Sequence, residues 1–99
     1  MHVVFSPEAA AEFADAERHY MAVASALGAA FRDEVRSALA RLRNWPLAAP
    51  IERDGIRRLL LSRFPYKMLY SVEPELLYII AVAHQHRAPD YWLGRKVNP

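Results

Sequence analysis

The sequence predicts an α+β fold in which an N-terminal strand, a helical hairpin and a three-stranded antiparallel meander complete one sheet. Three observations carry this expectation. Apolar residues between Ser6 and Trp45 repeat at helical spacing, whereas three short apolar segments between Ile56 and Ala83 are separated by proline-containing connections. The resulting order of strand, helix, helix, strand, strand, strand leaves a pair of helices to cover one face of a sheet.

His2 to Phe5 is an apolar run too brief for a helix and reads as the first strand. Ser6-Pro7-Glu8 then opens a helix: a serine hydroxyl can cap, proline suits the first helical position, and a carboxylate favours the positive end of the dipole. Phe13, Ala16, Tyr20, Ala24 and Leu27 share one face of that helix, with Glu12, Asp15 and Arg18 largely opposite. Gly28 is expected to break or bend the pattern. A second helix follows with Phe31, Val35, Ala38, Leu39 and Leu42 as its stripe; Arg32, Arg36 and Arg43 line a neighbouring face beside Asp33 and Glu34. Trp45-Pro46 ends it, because the residue before proline is pushed out of the helical region. The two helices are expected to pair as an antiparallel hairpin.

Leu47 to Asp54 reads as a proline-containing connection closed by the turn signal Asp54-Gly55. Ile56 to Arg63 is the first strand of the meander. Tyr66 to Val72 alternates, with Tyr66, Met68, Tyr70 and Val72 on one face and Lys67 and Ser71 on the other. Leu76 to Ala83 is the nearly unbroken apolar run of a strand buried on both faces. Past His84 the pattern dissolves into a polar tail that holds Tyr91 and Trp92.

One domain spanning residues 1–99 is expected, long enough for a single core. The composition, 54% hydrophobic and 24% charged, is that of a folded globule. With no cysteine, disulfides, thiolate metal sites and cysteine nucleophiles are excluded. No apolar run reaches the roughly 20 residues that span a bilayer, and the N-terminus lacks the features of a signal peptide; a cytoplasmic protein with no membrane partner is expected. The net charge of +2 is unevenly placed: residues 1–50 hold five cations against six carboxylates, and residues 51–99 eight against five. Eleven of the cations are arginine, which suits bidentate contact with phosphate or carboxylate, although a GC-rich genome writes the same preference. A pI near 9.2 permits nucleic-acid binding without demanding it.

Nucleophilic catalysis has little support. Ser6 is better explained as a cap, neither Ser25 nor Ser71 sits in a Gly-x-Ser-x-Gly elbow, and the isolated glycines form no phosphate loop. His84 and His86, two apart at a strand end, can point to one side, but no third ligand stands at an obvious spacing, so no metal and no cofactor are expected. His84 continues the face of Ile80 and Val82, which suits either a partly buried structural imidazole or a general acid–base. The arginines offer more. Arg57 and Arg58 are adjacent on a strand and point to opposite faces; Arg63 closes that strand, Lys67 opens the next and Arg87 follows the last. Their ends could gather several cations around one groove, or they could form a solvated face paired with Glu52, Asp54, Glu73 and Asp90. Tyr91 and Trp92 either pack over the core edge or present an aromatic surface to a base or a partner's pocket.

Taken together, several segments resemble the RelE/ParE superfamily of bacterial type II toxins: Phe5-Ser6-Pro7-Glu8-Ala9, Leu27-Gly28-x-x-Phe31-x-x-Glu34-Val35, Arg57-Arg58-Leu59-Leu60, Arg63-Phe64-Pro65-Tyr66, Leu69-Tyr70 and Ala81-Val82-Ala83-His84-x-x-Arg87-x-Pro89-x-Tyr91-Trp92. The resemblance spans nearly the whole chain, and the Arg63-Phe64-Pro65-Tyr66 and His84-x-x-Arg87-x-Pro89-x-Tyr91-Trp92 pieces look closer to the ParE-like, plasmid-stabilisation branch. It implies the RelE/ParE-like fold, a growth-arresting toxin, and a cognate antitoxin that wraps the groove around the hairpin and an open sheet edge, in a heterotetramer or larger complex. For the ParE-like branch it implies interference with DNA gyrase or replication, with Arg57, Arg58, Arg63, Arg87, Tyr91 and Trp92 as target-binding residues. For the RelE-like branch it implies ribosome-dependent cleavage of mRNA, for which His84, Arg58, Arg63, Lys67 and Tyr91 would supply acid, base and phosphate-binding groups.

Overall fold

The structure, a computed structural model of the chain, is described for residues 1–95. A short strand, β1 (His2–Phe5), leads into two helices, α1 (Pro7–Val23) and α2 (Ser25–Asn44), and then into four strands, β2 (Ile51–Arg53), β3 (Ile56–Leu60), β4 (Tyr66–Val72) and β5 (Leu76–His84). The strands form one mixed sheet in the order β1-β5-β4-β3-β2, with β1 parallel to β5 and every other pair antiparallel. This is the expected α+β architecture with one added strand.

The N-terminal signal acts as read. The Ser6 hydroxyl accepts the Ala9 N–H at 2.9 Å and donates to the Ile80 carbonyl at 3.1 Å, so one buried side chain caps α1 and ties its start to the central strand. The helix break is elsewhere. Ala24, not Gly28, separates the two helices, with extended backbone at φ −162° and ψ 139°. Gly28 lies inside α2, where an added Cβ would stand 2.9 Å from Met21 Cε and 3.0 Å from Met21 Cα. Its function is close approach of the helices rather than interruption.

Three corrections concern the sheet. The connection from Leu47 to Asp54 contains the edge strand β2, because Asp54 and Gly55 take positive φ (53° and 79°) and fold a tight hairpin back onto β3. The strand expected to run to Arg63 ends at Leu60; residues 61–65 turn, held by Glu34, whose carboxylate accepts the N–H groups of Ser62 and Arg63. Finally, the β4–β5 register skips Ile80, since Leu69 faces Ala81 and Tyr70 faces Ile79. This bulge puts Ile80 and Ala81 together on the face away from the helices, while Ile79 and Val82 both face them. His84 therefore continues the face of Val82 but not that of Ile80.

Both faces of β5 are covered. On the helical side Phe31, fully buried, meets Phe13, Tyr20, Phe64 and Tyr66 at centroid distances of 5.2–5.9 Å. On the other side Trp92 folds back over Ile56, Leu69, Tyr78, Ile80 and Ala81. Among the described residues no helix is long and apolar enough to cross a membrane.

Candidate functional site

β1 pairs with β5 only as far as Ile79, so the edge of β5 beyond that point needs other partners. Side chains supply them. Glu12, from the face of α1 expected to meet solvent, accepts the Val82 N–H at 3.0 Å. Its carboxylate also accepts the Tyr91 hydroxyl at 2.8 Å and two N–H groups of Arg95 at 3.0 Å each. Arg95 also donates to the Ile80 carbonyl at 2.9 Å. One carboxylate thereby joins α1, the bulged strand and the C-terminal segment.

The electrostatics follow from this geometry. Burial raises the Glu12 pKa, but the bonds from Arg95, Tyr91 and Val82 outweigh it and hold the carboxyl below its ordinary value. Burial and the bond to Glu12 push the Tyr91 phenol up to about 12. Arg87 lies over the same ring, 4.1 Å from its centroid, with Arg95 at 4.9 Å. Nothing in the sequence local to Glu12 signals this centre, because its partners lie 70 to 83 residues away.

The residues singled out from the sequence are distributed around this frame. His84 stands half-buried at the end of β5, its ring 5.2 Å from those of Tyr66 and His86, and its Nδ1 accepts the His86 N–H at 3.1 Å. Lys67 and Arg58 point to the opposite face: Arg58 pairs with Leu69, and Lys67, two residues before Leu69 on β4 and paired with Leu60, shares its face. Lys67 is held by Glu52 at 2.9 Å. Arg63 is an exposed turn residue 3.5 Å from Glu34. Arg57 faces the helices and donates to the carbonyls of Leu47 and Ala49 at 3.0 and 2.6 Å, pinning the connection after α2. Trp92 is buried. The structure thus brings Tyr91 and Arg87 together, and His84 with Tyr66, but it does not gather His84, Arg58, Arg63, Lys67 and Tyr91 around one point. Among the described residues no group of three His, Asp or Glu side chains is placed to hold a metal.

A separate apolar groove of about 420 Å³ runs along the hairpin where it meets β1. Phe5, Phe13, Val35 and Leu39 floor it, and Arg32 and Arg36 stand on its rim. Both rim cations have neighbours, Glu17 at 3.0 Å from Arg32 and Asp33 at 3.9 Å from Arg36.

Comparison with known proteins places this arrangement. Residues 3–89 match the family described as ParE toxin of type II toxin-antitoxin system, parDE. Among solved structures, a chain of the chromosomal ParDE TA system from P. aeruginosa superposes with a TM-score of 0.61 at 19% identity, over 85% of this chain and 95% of that one, a likeness of fold. No curated protein matches. The chain belongs to the ParE toxin family, and membership of a toxin–antitoxin family implies an antitoxin as partner.

Proposed function

We propose that this member of the ParE toxin family arrests growth by interfering with DNA gyrase or replication, and that a cognate antitoxin neutralises it. The observation that carries the choice of target is the dispersal of the would-be catalytic groups. Cleavage of RNA needs a base, an acid and cations converging on one phosphate. Here the imidazole of His84 lies on one face of the sheet, Arg58 and Lys67 lie on the other, and the Tyr91 hydroxyl is tied to Glu12. A protein-binding poison needs no such convergence. The hairpin groove, apolar along its floor and cationic at its rim, suits an amphipathic antitoxin helix with acidic flanks.

A second reading, ribosome-dependent cleavage of mRNA, draws support from the rim at the end of β5, where His86 stacks on His84 and Tyr66 meets the His84 ring edge-on. Pulse-labelling in the minutes after the chain is induced alone separates the two. Thymidine incorporation is expected to fall first, and Arg58→Ala, Arg63→Ala or Arg87→Ala to relieve the arrest with no RNA cut. If amino-acid incorporation stops first, with mRNAs cut within codons and His84→Ala alone abolishing the effect, the gyrase reading is wrong.

A further inference from the structure

The turn that follows β5 is closed by a side chain that can also take up a proton. His84, half-buried, ends β5, and the exposed His86 lies two residues on. Three backbone N–H groups fasten the turn: Gln85 donates to the Pro65 carbonyl at 2.8 Å, Arg87 to the His84 carbonyl at 2.9 Å, and His86 to the His84 Nδ1 at 3.1 Å. The last bond spans the same two residues that asparagine and aspartate side chains use to close turns, with an imidazole nitrogen in place of the oxygen. An accepting Nδ1 puts the single N–H of the neutral ring on Nε2. An imidazolium carries hydrogen on both nitrogens, so it cannot accept the His86 N–H.

The groups around the ring do not compensate for that loss. Tyr66 from β4 meets it edge-on at 5.2 Å, followed by Tyr20 from α1 at 6.2 Å from Tyr66 and His19 at 5.0 Å from Tyr20. Burial raises both phenols above their ordinary value, which keeps them neutral. His86 stacks on His84 at 5.2 Å and 29°. The charged neighbours are engaged elsewhere: Glu12 with Val82, Tyr91 and Arg95, Lys67 with Glu52, Arg63 with Glu34, and Arg87 over Tyr91. Among the described residues neither imidazole of the turn is in an ion pair.

We propose that His84 is a proton-operated clasp, which holds the turn from His84 to Arg87 closed through Nδ1 when neutral and releases the His86 N–H when protonated. Histidine is the side chain that ordinarily changes charge between about pH 5 and 8, so the device works in the physiological range. Acid also places like charges on two stacked rings, which drives them apart. The turn delivers Arg87 to the ring of Tyr91, so its opening loosens the start of the C-terminal segment. In the closed form Nε2 is a donor, and His84 cannot act as a base without opening the turn. The inference is independent of which target the toxin poisons.

The test uses the full chain, with imidazole nitrogen resonances and amide hydrogen exchange followed from about pH 8 to about pH 5. At the alkaline end the His84 Nδ1 is expected to be the unprotonated nitrogen. As His84 takes its proton, protection of the residue-86 amide, corrected for intrinsic exchange, should fall roughly fivefold or more, the equivalent of one hydrogen bond. The Arg87 side-chain protons, shifted by the Tyr91 ring, should move toward unshifted positions over the same range. His84→Asn supplies an oxygen that closes the same turn and does not titrate, so protection in that variant should ignore pH. His86→Ala keeps the backbone N–H and should keep the fall. A protonated Nδ1 at the alkaline end, protection or an Arg87 shift that ignores pH in the native chain, an equal fall in His84→Asn, or no fall in His86→Ala overturns the inference. If His84→Asn misfolds by circular dichroism, the tautomer and His86→Ala decide.

Discussion

Removing the Glu12 carboxylate is expected to destabilise this fold more than any other single change on its surface. The side chain is 17% exposed and its main partner Arg95 15% exposed, so solvent screens the pair only weakly. In Glu12→Ala the Val82 N–H loses its acceptor, the Tyr91 hydroxyl loses its partner, and Arg95 keeps only the Ile80 carbonyl. Breaking one side of such a buried pair costs about 3–5 kcal/mol, a large part of the 5–15 kcal/mol typical of a domain. At about 4–8 °C per kcal/mol, the melting temperature should fall by roughly 15 °C or more. Urea unfolding at neutral pH measures the loss. Glu12→Gln keeps an acceptor for Val82 and loses the charge, so it should cost less, about 1–2 kcal/mol. The pH dependence gives a second check. Glu12 has a folded pKa below its ordinary 4.5, so the unfolded chain binds the proton more readily in that range. Its stabilisation is complete above pH 4.5 and disappears as pH falls through the folded pKa. The stability gap between the native chain and Glu12→Gln should therefore be constant at neutral pH and close in acid. A loss below about 1 kcal/mol in Glu12→Ala, or a gap that does not close in acid, would refute the assignment of Glu12 as the joint between α1, β5 and the C-terminal segment.

Other consequences are simpler. Gly28→Ala should lower stability by about 1 kcal/mol or more in calorimetry although alanine is the better helix former, because Met21 Cα is backbone and cannot yield. Phe31→Ala, which empties the centre of the aromatic cluster, should cost about 3–5 kcal/mol by urea unfolding. The Tyr91 phenol, pushed up to about 12, favours the folded state below pH 10 and ceases to do so as pH rises through 12. The ultraviolet difference between the native chain and Tyr91→Phe should show this late titration, and in Glu12→Gln it should move to lower pH.

What the sequence reveals here depends on how local each cause is. The start of α1 is legible because Ser6, Pro7 and Glu8 each act on the first turn, and the hydroxyl meets the Ala9 N–H three residues on. The double burial of β5 is legible because an unbroken apolar run has few other uses. The helix break is not, since Ala24 carries no breaker chemistry and the nearest glycine invites the wrong reading; Gly28 is required by Met21 across the hairpin, a tertiary contact. β2 escapes notice because three residues, one of them charged at each of two positions, make no pattern. Only the hairpin turn at Asp54-Gly55 makes them a strand. The bulge at Ile80 leaves no mark in the sequence, yet it decides which face His84 occupies. Glu12 is hidden for the same reason: on a helical wheel it is a solvent residue, and only the early end of β1 exposes the strand edge it satisfies.

The distribution of cations carries the remaining argument about function. By sequence the C-terminal half holds the excess positive charge, which suits a phosphate-binding rim. In the fold most of that charge already has a protein partner: Lys67 on Glu52, Arg53 on Asp90, Arg95 on Glu12, Arg57 on two backbone carbonyls. Arg58 and Arg87 from that half, and Arg41 and Arg43 from α2, make no ion pair among the described residues. Cations already committed to carboxylates give up that interaction before they can stabilise a transferring phosphate, and a nuclease site assembled from them would start at a disadvantage. Of the unpaired arginines, Arg41 on α2, Arg58 on β3 and Arg87 over Tyr91 are separated, and each of these three stands beside exposed or half-buried apolar surface. That is the arrangement of a protein that meets other proteins at several small contacts, where arginine beside an apolar or aromatic side chain contributes most to binding. It favours protein partners over a single ribonucleolytic centre for this toxin, and it makes charge reversal at Arg41, Arg58 and Arg87, one at a time, the most direct way to learn which partner each contact serves.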